Sequence, residues 1–267
     1  MNEFPQAMTI AGSDSDGSAG MQADLHTFFV QGVYGTSVLT ACVAGNSYGI
    51  HDQVLLPKRF IDQEFKDLAE DFQIRAAKTG MLANSEIIEA VIENYQKYDF
   101  GPLVVDPVII TKHGDFLLDQ EAFATIKEKL IPLATVLTPN FFEAEKLADM
   151  KIESSADQIQ AAKILQDMGA DTVIVKGKHH DDQQSEVSDL VLYASGKQEW
   201  LSGPYYATDR KNGSGDSLSA CITAELAKGK DQEAAIHTGY HYVQAAIKNE
   251  LAVGHKFGPV NQFANLN

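Results

Sequence analysis

A short glycine-rich run, Asn212-Gly-Ser-Gly-Asp216, leads directly into a segment of helical composition. Glycines at the start of a helix leave several backbone N–H groups directed at one point, where the helix dipole adds positive potential. Such a turn, built from Gly213, Ser214 and Gly215, can bind the oxyanions of a phosphoryl group in transfer. Asp216 stands where its carboxylate could accept a proton from a substrate hydroxyl. An ordinary turn with Asp216 as a helix cap is the alternative interpretation.

Two further segments contain the cation and the carboxylate that phosphate chemistry needs. Lys176 and Gly177 follow a β-rich run, and a lysine at the end of a strand is a natural phosphate contact. Asn140 and Glu143 open a helix, where Glu143 could hold Mg²⁺ directly or through water. Each segment also has a simpler interpretation, a solvated loop lysine for the first and a capping box for the second. Lys112 is a second candidate for the phosphate-binding lysine.

The loop after the first predicted strand contains Gly12 and Asp14 and precedes a helix that carries Asp24. It lacks the Gly-x-Gly-x-x-Gly spacing of dinucleotide-binding proteins, and the chain has no Gly-x4-Gly-Lys-Ser/Thr run. The sequence therefore excludes a typical NAD site and a P-loop. A short polar loop with Asp14 suits hydrogen bonds to a small ring that bears nitrogens and hydroxyls.

Histidines give two weaker signals. His237 and His241 stand four residues apart on a predicted helix, but Thr238 occupies the position of the glutamate in a zinc-protease motif. A surface or packing role is the favoured interpretation for this pair. The run at residues 179–182, His-His-Asp-Asp, is interpreted as a polar loop.

Short two-sided apolar runs alternate with segments of helical period, which is typical of βαβ units. Strands are predicted over 7–11, 37–43, 74–78, 103–105, 135–137 and 172–175, with a later pair over 187–193 and 198–202. Helices are predicted over 22–30, 61–71, 85–95, 121–130, 143–149, 156–168, 217–227 and 233–249. The series indicates an α/β fold with a doubly wound, mostly parallel sheet, in a single domain over residues 1–267.

Polar and glycine-containing clusters follow five of the predicted strands. Because ligands bind outside the carboxyl ends of strands in open α/β sheets, these clusters are expected to line one site. The clusters are Gly12-Ser-Asp14, Thr79-Gly-Met81, Asp106-Pro107, Thr138-Pro-Asn140 and Lys176-Gly177.

Composition limits the partners and the location. The formal net charge of −16 repels phosphate backbones and anionic lipid surfaces, so neither a nucleic acid nor a membrane is expected as a partner. Two cysteines, Cys42 and Cys221, suggest no disulfide framework. The first residues do not resemble a secretory signal, and no apolar run reaches the roughly 18 residues that span a bilayer. We therefore expect a cytoplasmic protein.

Taken together and in order, eight segments resemble the hydroxymethylpyrimidine/phosphomethylpyrimidine kinase family and the closely related bacterial pyridoxal kinases. The resemblance covers nearly the whole chain. It rests on Thr9-Ile-Ala-Gly-Ser-Asp14, Ala19-Gly-Met-Gln-Ala-Asp-Leu25, Lys78-Thr-Gly-Met-Leu82, Val105-Asp-Pro-Val108, Leu137-Thr-Pro-Asn140 with Glu143-Ala-Glu145, Val175-Lys-Gly177, Gly213-Ser-Gly215 and Gly258-Pro-Val-Asn261.

The resemblance implies a three-layer α/β/α ribokinase-like fold, a homodimer, and the use of ATP and Mg²⁺. By this resemblance the anion hole is Gly213–Asp216, with Asp216 as the base. ATP is expected to contact Asn140, Lys176, Gly177, Gly213 and Gly215, and the metal to lie near Asp106 and Glu143. The heteroaromatic ring is expected near Gly12, Asp14, Ala19, Asp24, Gly45 and Met81.

Three positions depart from the family pattern. Many relatives have cysteine in place of Asp216, and Ser18 replaces a common glycine. Pyrimidine kinases of this family usually have Gln or Glu at the position of Gly45, where the side chain hydrogen-bonds the pyrimidine. Because Gly45 leaves room for a bulkier ring, the sequence favours phosphorylation of pyridoxal or pyridoxine.

Other functions stay open at this point. The first alternative is a hydroxymethylpyrimidine/phosphomethylpyrimidine kinase of thiamine biosynthesis. The departures at Gly45 and Ser18 also allow a catalytically silent protein that binds a vitamer. A sugar or nucleoside kinase of the same fold is a further alternative, since fold does not fix function.

Overall fold

A computed structural model describes residues 4–109, 118–178 and 184–264. Its strands are β1 (Gln6–Asp14), β2 (Tyr34–Asn46), β3 (Gly49–Leu55), β4 (Ile74–Thr79), β5 (Leu103–Val105), β6 (Val136–Leu137), β7 (Thr172–Val175), β8 (Glu186–Leu192) and β9 (Gln198–Pro204). Its helices are α1 (Gly20–Val30), α2 (Lys58–Asp71), α3 (Ser85–Lys97), α4 (Gln120–Thr125), α5 (Phe141–Leu147), α6 (Ser155–Asp167), α7 (Ser214–Ala227) and α8 (Gln232–Lys248). Helix α4 continues through a π-helical turn, Ile126–Leu130, and a 3-10 turn, Ile131–Leu133.

The strands that the structure describes form one sheet in the order β3-β2-β1-β4-β5-β6-β7-β8-β9. All pairings from β2 to β7 are parallel, whereas β3, β8 and β9 add antiparallel edges. The chain starts in the middle of the sheet and winds outward in both directions, so the predicted doubly wound, mostly parallel sheet is confirmed.

Central strands bury both of their faces because helices cover the sheet on both sides. Along β7, Val173 and Val175 pack on one side with α2 to α6, and Ile174 packs on the other with α1, α7 and α8. Successive strand residues point to opposite faces, so a short apolar run contributes to two cores at once. The three layers agree with the predicted α/β/α architecture.

Helix α7 is the most buried helix of the layer that also contains α1 and α8, with every residue from Ser217 to Ala227 buried. Small residues allow this close packing. At Gly239 of α8, a Cβ atom would lie 2.8 Å from Cγ1 of Ile222 and 3.3 Å from Leu218 O, so α8 packs closely on α7 at this point. The first turn of α7, which carries Asp216, therefore begins a closely packed helix.

Strand β3 was not predicted from the sequence. Every residue of this edge strand is exposed, so burial imposes no two-residue alternation on it. It pairs antiparallel with the end of β2, which extends to Asn46, beyond the predicted boundary at residue 43. Among the described residues, none of the helices combines the length and apolar character needed to cross a bilayer.

Candidate active site

The parallel order of β1, β4, β5, β6 and β7 brings their carboxyl ends side by side. Hydrogen bonds continue past the strands: Gly80 N–H donates to Ile10 O at 2.9 Å, and Thr138 N–H donates to Val105 O at 3.0 Å. The five polar clusters that the sequence places after these strands therefore share one edge of the sheet.

The glycine turn of residues 213–215 packs directly on the loop that follows β1. Gly213 has a φ of 76°, and a Cβ atom there would overlap the carbonyl oxygen of Ser18. Only glycine satisfies both conditions without strain. A Cβ atom on Gly215 would lie 3.3 Å from Nζ of Lys176 and 3.4 Å from Oδ2 of Asp106. The turn thus meets the predicted phosphate-binding lysine and a predicted metal ligand.

Asp216 lies in the first turn of α7, where the unpaired N–H groups favour an anion. Its Oδ1 atom accepts a hydrogen bond at 3.2 Å from the N–H of Gly20, the first residue of α1. The carboxylate is therefore at the amino ends of two helices. Burial raises the pKa of Asp216, Lys78 opposes the rise, and the charge of Asp106 adds to it.

Lys78, at the end of β4, is a neighbour of Asp216 that the sequence did not predict as a site residue. Its Nζ atom lies 2.6 Å from Oδ1 of Asp24 and 3.9 Å from Oδ1 of Asp216. The side chains of Lys78 and Asp24 are both 0% exposed. A lysine near the end of a strand with buried alanines, Ile74-Arg-Ala-Ala-Lys78, is the sequence signal that could have identified it.

Asp24 was predicted to hold the heteroaromatic ring, but the structure places it beneath the site. Thr9 Oγ1 donates to Asp24 Oδ2 at 2.5 Å, and Lys78 occupies the other oxygen. Burial raises the pKa of Asp24 to about 7, although Lys78 opposes the rise. The carboxylate of Asp24 is thus fully enclosed and bonded at both oxygens, and it orients Lys78.

Lys176 and Asp106 face each other from neighbouring parts of the edge, with Nζ 3.7 Å from Oδ1. Ser219 Oγ lies 3.5 Å from the other oxygen of Asp106. Gly215 approaches both Nζ of Lys176 and Oδ2 of Asp106. These three residues therefore surround a small space that the methyl group of an alanine at position 215 would fill. An ammonium, a carboxylate and open backbone beside a helix N-terminus are suitable for a phosphate group with its metal ion.

Glu143 is nearly fully buried and forms the capping box of α5. Its Oε2 atom accepts from Asn140 N–H at 2.8 Å, and its Oε1 atom accepts from Ile109 N–H at 2.9 Å. Burial raises the pKa of Glu143; the charge of Lys176 opposes that rise, and the charge of Asp106 adds to it. The capping interpretation is thus observed, and the charges of Asp106 and Lys176 act on the same carboxylate.

Asp189 of β8 is a second residue that the sequence did not identify. It accepts a hydrogen bond at 2.7 Å from the N–H of Gly177, and a Cβ atom on Gly177 would lie 2.6 Å from Ser188 O. Burial raises the pKa of Asp189 to about 6, although the Gly177 N–H and Lys176 oppose the rise. Asp189 therefore holds the Lys176-Gly177 turn in place.

The predicted ring-binding residues separate into two groups. Gly12 and Met81 are adjacent, since a Cβ atom on Gly12 would lie 2.8 Å from Cε of Met81. Asp14 instead organises its own loop, because its Oδ2 atom accepts from Ser18 Oγ and from Ala19 N–H, both at 3.1 Å. Gly12 and Met81 thus pack against each other, and Asp14 and Ala19 shape the loop beside them.

Gly45 lies where β2 and β3 are irregularly paired, with a register shift between Ala44 and Gly45. A Cβ atom on Gly45 would lie 2.9 Å from Gly49 O and 3.3 Å from Cα of Ile50. Ser15 Oγ bonds both the N–H and the carbonyl of Gly45 at 2.9 Å. Gly45 is therefore a point of close backbone packing that joins the first loop to the β2–β3 hairpin.

His237 lies apart from these residues, in an ion-pair network at β9. Its Nε2 atom is 3.1 Å from Glu199 Oε1, and Lys197 contacts both Glu199 and Glu233. Lys197 offsets part of the charge of the two carboxylates, and the His237 side chain is 37% exposed, in keeping with the surface role that the sequence favoured. Lys112 and the run at 179–182 lie outside the described residues.

Known proteins similar to this chain are kinases. The family model described as phosphomethylpyrimidine kinase matches residues 14–261. The hydroxymethylpyrimidine/phosphomethylpyrimidine kinase of Haemophilus influenzae is 45% identical over 265 residues, which cover 99% of this chain and 98% of the relative. An ADP complex of Bacillus subtilis pyridoxal kinase superposes with a TM-score of 0.91 at 34% identity, covering 99% of this chain and 100% of that chain. Staphylococcus aureus pyridoxal kinase in complex with AMP-PCP and pyridoxal superposes with a TM-score of 0.89 at 34% identity, covering 99% and 95% of the two chains.

Proposed function

The chain belongs to the phosphomethylpyrimidine kinase family, and from that premise we propose that it transfers the γ-phosphate of ATP to the hydroxymethyl group of a hydroxymethylpyrimidine. One observation carries the proposal: the carboxylate of Asp216, the ammonium of Lys176 and the backbone of the 213–215 turn meet at one edge of the sheet. These are an acceptor for the hydroxyl proton and two kinds of donor for phosphoryl oxygens.

In this proposal Asp216 accepts the proton of the substrate hydroxyl. Two helix N-termini stabilise its anion and make it a weak base, while burial and Asp106 act in the opposite direction. Phosphoryl transfer tolerates a weak base, because its transition state is loose and catalysis depends mainly on positioning and charge stabilisation. The N–H groups of Gly213–Gly215 and the ammonium of Lys176 hold the oxygens of the transferred group.

Asp106 and Glu143 would hold Mg²⁺, Asp106 directly and Glu143 through water, because both oxygens of Glu143 already accept backbone N–H groups. When bound, the metal neutralises charge on the phosphates. Asn140, Lys176 and Gly177 would line the side that receives ATP, with Asp189 fixing the turn of Gly177. The complexes of the two pyridoxal kinases with ADP and AMP-PCP support the choice of nucleotide.

The proposed ring differs from the one that the sequence favours. Gly45 favoured pyridoxal, but the matching family model is described as phosphomethylpyrimidine kinase, and the curated relatives from Haemophilus influenzae and Bacillus subtilis are hydroxymethylpyrimidine/phosphomethylpyrimidine kinases. The close packing of Gly45 on Gly49 also removes the argument that its missing side chain leaves free space. Pyridoxal remains a second candidate substrate, supported by the TM-score of 0.91 with a pyridoxal kinase.

Two other interpretations lose support. Family membership and the assembled Asp216, Lys176 and Asp106 argue against a catalytically silent vitamer-binding protein. Identity of 45% to a hydroxymethylpyrimidine/phosphomethylpyrimidine kinase argues against a sugar or nucleoside kinase.

The proposal is tested by an ADP-release assay with hydroxymethylpyrimidine, its monophosphate, pyridoxal and pyridoxine. We expect the greatest kcat/KM with hydroxymethylpyrimidine, and a loss of about 10²-fold or more in kcat for Asp216→Asn. Asp171→Asn is the control, because Asp171 is exposed and precedes β7, at the opposite edge of the sheet. No turnover with any of the four compounds would contradict the proposal, and wild-type kcat in Asp216→Asn would remove Asp216 from the role of base.

The active unit is proposed to be a homodimer in the cytoplasm. Within the described parts of the chain, β3 pairs only with β2 and forms one outer edge of the sheet, with exposed apolar side chains that include Ile50 at 68% and Val54 at 62%. Such an edge is a template for pairing with another chain. A second copy, adding its own β3, would cover it without any further protein.

A further inference from the structure

Lys78 is a fully buried cation that lies between two carboxylates from different parts of the chain. Asp24 comes from α1 and Asp216 from α7, and the ammonium lies 2.6 Å from the first and 3.9 Å from the second. A single carboxylate would be enough to pair with a buried lysine, and Asp24 fulfils that role. The second contact, to Asp216, is the one that a purely structural ion pair does not explain.

Without Lys78, the negative charges around Asp216 would favour the protonated form of its carboxyl group. The carboxylate of Asp106, after β5, raises the pKa of Asp216, and Glu143 of α5 adds further negative charge near Asp106. Lys176, after β7, opposes this effect but lies 3.7 Å from Asp106 and is expected to contact phosphates. A protonated Asp216 could not accept the proton of a hydroxyl group.

Lys78 itself stays protonated in this environment. Burial alone would lower the pKa of Lys78, but the carboxylates of Asp24, Asp216 and Asp106 outweigh burial and raise it. Thr9 and Lys78 bind the two oxygens of Asp24, so Asp24 holds the ammonium in one place. Lys78 thus provides a fixed positive charge that does not depend on ligand.

We propose that Lys78 is a positioning residue that keeps Asp216 ionised and fixes the direction of its carboxylate, with Asp24 as the anchor of the lysine. The inference rests on the proposed role of Asp216 as the base of the kinase. It assigns to Lys78 an effect on the protonation of Asp216 and no contact with substrate or nucleotide.

The experiment compares the pH dependence of kcat in wild type, Lys78→Arg and the charge-balanced pair Lys78→Met with Asp24→Asn. The pair removes both charges, so it leaves no unpaired buried ion and is expected to fold. An opposite charge at this distance typically lowers the pKa of a carboxyl group by about 1–3 units. We expect the acid limb of kcat to move upward by about one pH unit or more in the pair, and Lys78→Arg to retain most of the wild-type position.

Lys228→Met is the matched control. Lys228 pairs with the buried Glu225 on the same helix α7 as Asp216, away from its first turn. Loss of that pair should lower stability and leave the acid limb in place. A wild-type acid limb in the double variant, shown to be folded by circular dichroism, overturns the proposal for Lys78.

Asp216→Asn distinguishes this failure from failure of the proposed function. If Asp216→Asn loses activity and the double variant keeps the wild-type acid limb, Asp216 stays the base and Lys78 is only structural. If Asp216→Asn keeps wild-type kcat, the base assignment fails, and the proposal for Lys78 fails with it. If the double variant does not fold, Lys78→Gln with Asp24→Asn gives the same comparison, because the two amides can hydrogen-bond each other without charge, and an acid limb at the wild-type position in this pair overturns the proposal.

Discussion

The N–H of Gly20 donates a hydrogen bond to Oδ1 of Asp216 at 3.2 Å, although the two residues are 196 positions apart. The bond joins the first residue of α1 to the first turn of α7. Gly20 has a φ of 57°, and a Cβ atom there would lie 2.5 Å from Gly12 O, so the first loop must be tightly folded to make this contact. The proposed base is therefore oriented by the same loop that contains Gly12, one of the residues that the sequence predicts to hold the ring.

The turn at Gly213 is expected to be intolerant of any side chain. Gly213→Ala places a Cβ atom against the carbonyl oxygen of Ser18, in addition to the roughly 1–2 kcal/mol that a left-handed φ costs an alanine. Gly229→Ala is the control, because Gly229 has a φ of 83° and no atom within 4 Å of its Cβ position. We expect kcat to fall by at least about 10²-fold only in the first variant. Equal activity in the two variants, measured by ADP release, would show that the turn adapts.

Asp189 is expected to make stability depend on pH. Its pKa of about 6 lies above the ordinary value of about 3.9, so the folded state holds the proton more tightly. By linkage, the stability that comes from the protonated Asp189 carboxyl group is complete below about pH 4, and it is lost as the pH rises through about 6. Asp189→Asn should therefore reduce the fall in unfolding free energy between pH 4 and 8 by about 1–2 kcal/mol, measured by urea unfolding. An unchanged fall would contradict this assignment.

A second variant at the same position tests the contact with Gly177. Asn keeps an acceptor for the N–H of Gly177, and Asp189→Ala does not. Both variants should flatten the stability profile, but only alanine should raise the KM for ATP, by about 5-fold or more, because a lost hydrogen bond of about 1 kcal/mol leaves the turn free to move. Equal KM values would show that Asp189 does not hold the turn.

We expect a substitution at Gly45 to alter the β2–β3 hairpin, whether or not it alters the choice of substrate. In Gly45→Ala the new Cβ atom lies 2.9 Å from Gly49 O, so the hairpin must shift. We expect faster amide exchange over residues 45–55, because the bonds from Ser15 to Gly45 weaken. Gly45→Gln extends that Cβ atom by a methylene group and an amide. A higher ratio of kcat/KM for pyrimidine over pyridoxal in Gln than in Ala would show that an amide at this position reads the ring, and an equal ratio would exclude that effect.

The exposed edge strand β3 predicts a dimer that negative charges placed on the strand should separate into monomers. Ile50→Glu with Val54→Glu places two carboxylates on β3, and across a two-fold pairing these would repel their copies. Sedimentation should show a dimer for wild type and a monomer for the double variant. Val253→Glu is the control, because Val253 is 45% exposed but lies outside β3. A wild-type monomer would contradict the proposed homodimer.

The sequence determined the architecture because local patterns carry it. Two-sided apolar runs predicted the strands from β1 to β7 except β3, and parallel order then brought their polar ends to one edge. The cap at Asn140 and Glu143 and the turn at 213–215 were also readable, since capping boxes and glycine turns depend on residues close in the chain. Strand β3 escaped prediction because no residue in it is buried.

Only the tertiary structure decided which distant charges meet. Lys78 reaches Asp24 and Asp216 because β4 lies beside β1 and because α1 and α7 pack on the same face of the sheet. The tertiary structure also places Asp24 against Lys78, where it anchors the lysine, and brings Gly45 into close contact with the backbone of β3. Electrostatic interactions depend on distance and burial, and the order of residues along a chain specifies neither until the strands have taken their places in the sheet.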